Sequence, residues 1–309
     1  MRGFAALFNL RRNALADKLD GLLLLLLPDW LEQPFAAHAP DLWSVFGTTF
    51  LERGDFDRTP FEQWWRESDE RFERLCAARP GAAERYAHGT YTFAYAIDHG
   101  AVDLPLRDMR DVLAKVPGYT GWQVWWVPQN KFQPTVGDGA LECWIFGDEQ
   151  IFPDPAHSDY WRASGTGALY LWRGYEEDSH PDRLPVGMHM STTLPIWRVG
   201  EALLHVRELA ALLGLPEHTR VVFRARWTGL LDRTLTHWPD RMRGGPEPGK
   251  RSSVGEHVGD TVFDIREAKI ALPELVDRLV QPLYECFELY LPAPDVITIQ
   301  LEQLIQRKG

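Results

Sequence analysis

Apolar residues recur along this chain with two different periods, and the switch between them divides it. Over residues 4–27, Phe4, Leu7, Phe8, Leu15, Leu19, Leu22, Leu23 and Leu26 fall on one broad side of a helix that Pro28 stops. A second helix is predicted over 41–53, ended by Gly54. The third has the clearest start. Thr59 stands at the N-cap, Pro60 at the first helical position and Glu62 at the capping-box position, and Phe61, Trp64, Trp65, Phe72, Leu75 and Cys76 follow at helical spacing. Residues 82–98 and 105–115 read as two more helices, so 1–117 is expected to be an all-helical domain.

After Pro117-Gly118, short runs rich in Gly, Pro, Trp and β-branched residues take over, with candidate strands at 141–146 and 168–175. Residues 195–213 predict a helix: Ile196, Val199, Leu203, Val206, Ala210 and Leu213 step by three and four before Gly214 and Pro216. Residues 220–228 predict a strand, with Val221, Phe223, Ala225 and Trp227 on one face and Arg220, Val222, Arg224 and Arg226 on the other. Segments 230–236 and 260–270 are expected to pair beside it. The Gly-, Pro-, Ser- and charge-rich segment 239–259 is expected to be a mobile loop. Helices near 273–290, with Pro282 inside, and 295–307 complete the chain. The fold class is therefore α+β: a helical domain over 1–117, then a Trp-rich domain over 118–309 with a mixed or antiparallel sheet and packed helices.

The 309 residues are 45% hydrophobic, enough for a substantial core, and the net charge of -11 argues against a nucleic-acid-coating surface. Nucleic acid is not expected as a direct general ligand; a protein partner or a small anionic ligand is. Cys76, Cys143 and Cys286 are odd in number and form no CxxC pair, which disfavours a zinc site or a disulfide framework and points to a reducing compartment. Arg11-Arg12 and the six leucines at 22–27 only loosely imitate a targeting signal, and Pro28-Asp29 ends the run too soon to span a bilayer. A cytoplasmic protein without a membrane segment is expected.

Eight of the thirteen tryptophans lie between Trp122 and Trp227. Trp122, Trp125, Trp126, Trp161 and Trp172 form either an aromatic-lined pocket, able to stack a base or cage a cation, or a dense core. Arg224 and Arg226 share a strand face and offer two forks to an anion, or to acidic neighbours such as Glu176 and Asp178. Asp154, His157 and Asp159 place three possible metal ligands within six residues, although no fourth ligand has recognisable spacing. Glu176 and Asp178, read as sharing one face at a strand end, are candidate acid and base with His157. Residues 244–251 nearly spell a phosphate-binding loop, but Arg251 replaces the required hydroxyl, two prolines remove backbone donors and no helix is predicted to follow. No cofactor is expected.

Read in order, Thr120-Gly121-Trp122, Trp126-Val127-Pro128, Glu142-Cys143-Trp144, the run 157–162 (HSDYWR), the run 173–178 (RGYEED), the run 194–201 (LPIWRVGE) and the run 224–230 (RARWTGL) resemble a C-terminal region of bacterial Schlafen/AlbA-type DNA-binding or regulatory proteins. The resemblance covers residues 118–290. In that family the nucleic-acid and nucleotide assignments belong to an N-terminal AlbA-like domain, which residues 1–117 do not resemble, so DNA binding is not carried over and no catalytic residue is implied. The expected function is a non-enzymatic sensor or protein-interaction module of a bacterial regulatory or defence system. The alternatives are a metal-assisted hydrolase or nuclease-like enzyme using Glu176, Asp178 and His157, and a nucleotide- or anion-binding effector.

Overall fold

A computed structural model of the chain describes residues 56–98, 100–147, 152–237 and 250–306. The helices expected over 4–27 and 41–53, and residues 239–249 of the expected loop, lie outside the described residues. Among the described residues, the strands β1 (Thr90–Ile97), β2 (Thr135–Gly137), β3 (Ala140–Trp144), β4 (Tyr160–Ala163), β5 (Ala168–Gly174), β7 (Arg220–Thr228) and β9 (Glu256–Asp264) form one antiparallel sheet. Its order is β2-β3-β4-β5-β1-β7-β9. The short strands β6 (His189–Ser191) and β8 (Thr234–Thr236) pair in parallel as a separate ribbon.

The sheet is covered unequally. Among the described residues, one face carries helix α1 (Thr59–Ala78) as its main cover, which sets Phe61 and Phe72 against Ala94, Tyr160, Tyr170 and Val222. On the other lie α3 (Leu106–Leu113), α4 (Leu194–Leu212), α6 (Leu272–Glu285) and α7 (Pro294–Gln306). Two-residue alternation sorts the strands between these layers: Phe93, Leu171, Phe223 and Trp227 enter the larger core, while Thr92, Trp172 and Arg226 face α1. Helix α4 is buried on nearly every side, with Ile196, Val199, Leu203, Val206 and Ala210 fully covered, and Gly200 abuts Leu301 of α7.

Strand β1 overturns two expectations. Residues 82–98 are expected to be helical, yet only α2 (Ala82–Arg85) is, and Thr90–Ile97 lies between β5 and β7. Tyr91, Phe93, Tyr95 and Ile97 alternate with Thr90, Thr92, Ala94 and Ala96. A helix would scatter those four large side chains, whereas a strand delivers them together to the core. Gly89, at φ 115°, opens the strand where a Cβ would sit 2.4 Å from the Thr228 carbonyl oxygen. Because β1 belongs to the sheet, the chain does not divide at 117. Residues 56–309 form one unit and 1–55 the other.

Smaller corrections follow the same logic. Thr59 lies inside α1 with Arg58 at the N-cap, and its N–H is taken by Asp57 Oδ1 at 2.9 Å. Segment 230–236 supplies β8, which pairs with β6 and not with β7. Residues 256–259 of the expected loop are already strand, paired to β7, and Arg251 and Ser252 bridge to Thr234 and Phe287. Helix α5 (Ile265–Ile270) follows β9 through a capping box between Asp264 and Glu267. Among the described residues no helix is long and apolar enough to cross a membrane.

Candidate functional site

The arginine face of β7 points at α1. Arg226 donates from Nη1 and Nη2 to the two carboxylate oxygens of Asp69, both at 2.7 Å, and its guanidinium lies between the rings of Trp65 and Trp172. Arg224 grips Glu62 at 2.6 and 2.8 Å and Asp260 at 3.0 Å. Arg220 pairs with Asp98 at 3.5 Å. The expected partners Glu176 and Asp178 take no part, because they lie beyond the end of β5 rather than across from β7. Glu62 and Asp69 are seven residues apart, two turns of α1, which places both acids over one sheet face.

The expected common face of Glu176 and Asp178 is lost because the chain turns into a 3-10 helix, Glu177–Ser179, directly after Glu176. Asp178 is spent on Arg233, at 2.5 and 3.2 Å, and on the Gly187 N–H at 2.8 Å. Glu176 contacts His180 and Arg198. His157 is held by Asp154, 2.8 Å from Nδ1, and that bond holds the imidazole above its usual range. Burial alone would raise Asp154, but the bonds and charge of His157 keep it below the usual carboxylate range. Asp159 is not a third ligand beside them. It is fully buried and bonded by Arg173 at 2.5 and 2.7 Å, and Tyr160 and Trp161 after it open β4. Among the described residues no three His, Cys, Asp or Glu side chains are arranged to hold a metal ion.

The tryptophans do not share one pocket. Trp161 is fully buried and donates its indole N–H to the Trp126 carbonyl at 2.8 Å. Trp122 and Trp126 are half-buried edge-to-face neighbours, and Trp122 also packs on Phe152 and His157. Trp172 is on the opposite sheet face, against Phe72. A single stacking platform from Trp122, Trp126, Trp161 and Trp172 is therefore not formed.

What the fold does assemble is a narrow cleft where the ends of β5, β1 and β7 meet the first turn of α4, lined by Tyr91, Tyr175, Glu176, Glu177, Arg198 and Trp227, among others. Its inner wall is Arg173. Nε and Nη2 bind Asp159, Nη1 binds the Tyr91 hydroxyl and the Trp122 carbonyl, and Nη2 also binds the Gln123 carbonyl at 3.0 Å. These bonds occupy every guanidinium N–H, so Arg173 is a rigid support with no donor to spare. Arg198 is different. Its Nη1 is fixed by Thr120 Oγ1, the Trp122 carbonyl and Glu201 Oε2 at 3.2–3.3 Å, while Nε and Nη2 hydrogen-bond to none of the described residues. Its side chain is 13% exposed, and its nearest charge across the cleft is Glu176 Oε2, 3.9 Å from Nη2. Glu177 closes the floor. It is buried, accepts the Ser191 N–H at 2.5 Å, and burial pushes its carboxyl up to about 7.

Sequence reasoning did not single out Arg173, Glu177 or Arg198, although all three stand in the quoted runs 173–178 and 194–201. The available signal was their presence among apolar residues of a strand end and a helix start. Searches against protein-family models, curated proteins and solved structures each returned no match. The Schlafen/AlbA-type resemblance thus rests on the short motifs alone.

Proposed function

We propose that residues 56–309 form a non-enzymatic recognition module whose cleft receives a small anionic ligand. The observation that carries this reading is the Nε–Nη2 edge of Arg198, which hydrogen-bonds to none of the described residues, on a guanidinium whose other nitrogen is already anchored. That edge is the geometry that takes a carboxylate or phosphate by two parallel hydrogen bonds. The first turn of the 19-residue helix α4 adds the positive end of its dipole beside the same cleft. The support comes preorganised, since Arg173 is bonded to Asp159 and to the Trp122 and Gln123 carbonyls before any ligand arrives. Helix α4, which carries Arg198 at its start and runs buried along the sheet, is the element that would convey occupancy to a protein partner.

The test is mass spectrometry of what co-purifies, followed by calorimetric titration with acetate and inorganic phosphate. Arg198→Lys keeps the charge but loses the fork, and should weaken binding by about tenfold, with Arg198→Gln weakening it further. Equal affinity in wild type and Arg198→Gln overturns the proposal.

One observation favours an enzyme instead: Glu177 has its carboxyl near 7, where it can both give and take a proton. In that reading Glu177 replaces Asp178, which Arg233 has consumed. Turnover of chromogenic ester or phosphoester substrates, lost in Glu177→Gln, would establish it.

A further inference from the structure

We infer that the groove between α6 and α7 docks a basic amphipathic helix of a partner protein. The inference does not depend on the Arg198 cleft. The groove has a volume of about 360 Å³, room for side chains of a partner, and its two walls differ in character. Helix α6 turns Leu275, Val276, Leu279 and Leu283 into the core, which leaves Glu274, Asp277 and Gln281, at steps of three and four, on the groove side. Opposite stand Leu291, Pro292, Ala293 and Ile297. Leu291 is 57% exposed, and Leu289, two residues earlier, is 78% exposed. Both helices are tied to the N-terminal end of α4, so the walls are fixed before a partner arrives. The Tyr284 hydroxyl donates to the Thr192 carbonyl and the Trp197 indole N–H donates to Gln300, each at 2.7 Å.

Charge decides what covers this face. Gln281 is bonded to Glu285, but the Glu274 and Asp277 carboxylates pair with none of the described residues. Arg278, the basic residue of α6, is turned away onto Glu267 and Thr261 at 3.2 and 3.3 Å. Burial and the neighbouring Glu274 charge both push the Asp277 carboxyl above its usual range, so a cation set between the two acids relieves a standing repulsion. Residues 272–306 hold six acidic residues and one basic one, which repels an anionic partner from the same side. No free strand edge borders the groove, so recognition falls to side chains. A helix answers this arrangement by carrying Lys or Arg in one stripe, against Glu274 and Asp277, and Leu-type residues in the next, against Leu291 and Ile297.

The experiment is fluorescence anisotropy of the full chain with a labelled peptide, LKKLLKLLKKLLKL. Two counterparts accompany it, one with Glu in place of Lys and one with Ser in place of Leu. The Lys/Leu peptide should bind, and the other two should bind at least about tenfold more weakly. The double variant Glu274→Gln, Asp277→Asn should weaken the Lys/Leu peptide by about tenfold, and Leu291→Ser should weaken it as well. The double variant Glu70→Gln, Asp103→Asn removes the same charge elsewhere on the surface and should leave binding unchanged. Equal weakening in the two double variants would mean general attraction to an acidic protein, and overturns the inference. So does binding of either counterpart peptide as tightly as the Lys/Leu peptide, or no binding at all. Sedimentation of the chain alone supplies the last outcome: a dimer that Leu291→Ser dissociates assigns the groove to a second copy instead. Circular dichroism of each variant confirms that a loss of binding is not a loss of fold, and the wild-type peptide comparison decides the matter should a variant fold poorly.

Discussion

Arg226→Gln tests the contact between α1 and the sheet at its most concentrated point. In the wild type Asp69 receives two charge-assisted bonds from Arg226 and a third from the Tyr170 hydroxyl, and the Arg226 and Asp69 side chains are 16% and 17% exposed. Glutamine cannot carry the fork or the charge, so Asp69 stays in its half-buried site with Tyr170 as its remaining side-chain donor. Breaking one partner of such a pair costs about 3–5 kcal/mol, chiefly because the other charge is left uncompensated. For a unit of this size that is a fall in Tm of roughly 6–20 °C. Trp65 and Trp172 flank the guanidinium, so near-ultraviolet circular dichroism and tryptophan fluorescence should both change at the site before global unfolding. Denaturant melts of Arg226→Gln, Asp69→Asn and the double variant complete a cycle, and the double variant should recover part of the loss because no unpaired charge remains. A loss below about 1 kcal/mol in Arg226→Gln, the range of a solvent-screened surface pair, would refute the argument.

Leu203 is fully buried on α4, and Leu203→Ala should destabilise by about 2–5 kcal/mol in denaturant melts; a loss well under 1 kcal/mol would mean that α4 is packed differently. Glu177 rises from 4.5 to about 7 on folding, so the folded chain binds more protons than the unfolded one between those values, and this group's contribution falls as pH increases through the window. Stability measured from pH 4.5 to 7 should therefore decline less in Glu177→Gln than in wild type. His205 has the opposite sign: burial lowers it from 6.5 to about 3, and the neutral ring is required, so wild type should lose stability as pH falls below 6.5 while His205→Phe is less sensitive there.

Elements whose period is long and unbroken were readable from the sequence. The helix expected over 195–213 is found at Leu194–Leu212, and the strand expected over 220–228 is found at Arg220–Thr228 with its two faces as read. Strand β1 was not, because Ala82–Arg85 begins helically and the small residues Ala94 and Ala96 suit either period. The partners of Arg224 and Arg226 were hidden for another reason. The spacing of Glu62 and Asp69 shows that they share a side of α1, but not that this side lies on β7. The open edge of Arg198 was least accessible of all, since it depends on which donors are consumed by Glu201 one turn along α4 and by Thr120 and Trp122, residues from a different part of the chain.

The position of β1 also bears on how the protein is made. The strand pairs on one side with β5 and on the other with β7, whose partners lie 124 to 136 residues further along the chain. At about 5–20 residues per second, a ribosome needs roughly 6–27 s to supply them. Throughout that interval Tyr91, Phe93 and Tyr95 have emerged without the strand that completes their cover. Nascent chains stalled before residue 220 should therefore bind a holdase chaperone through this segment, and release it once β7 has cleared the exit tunnel.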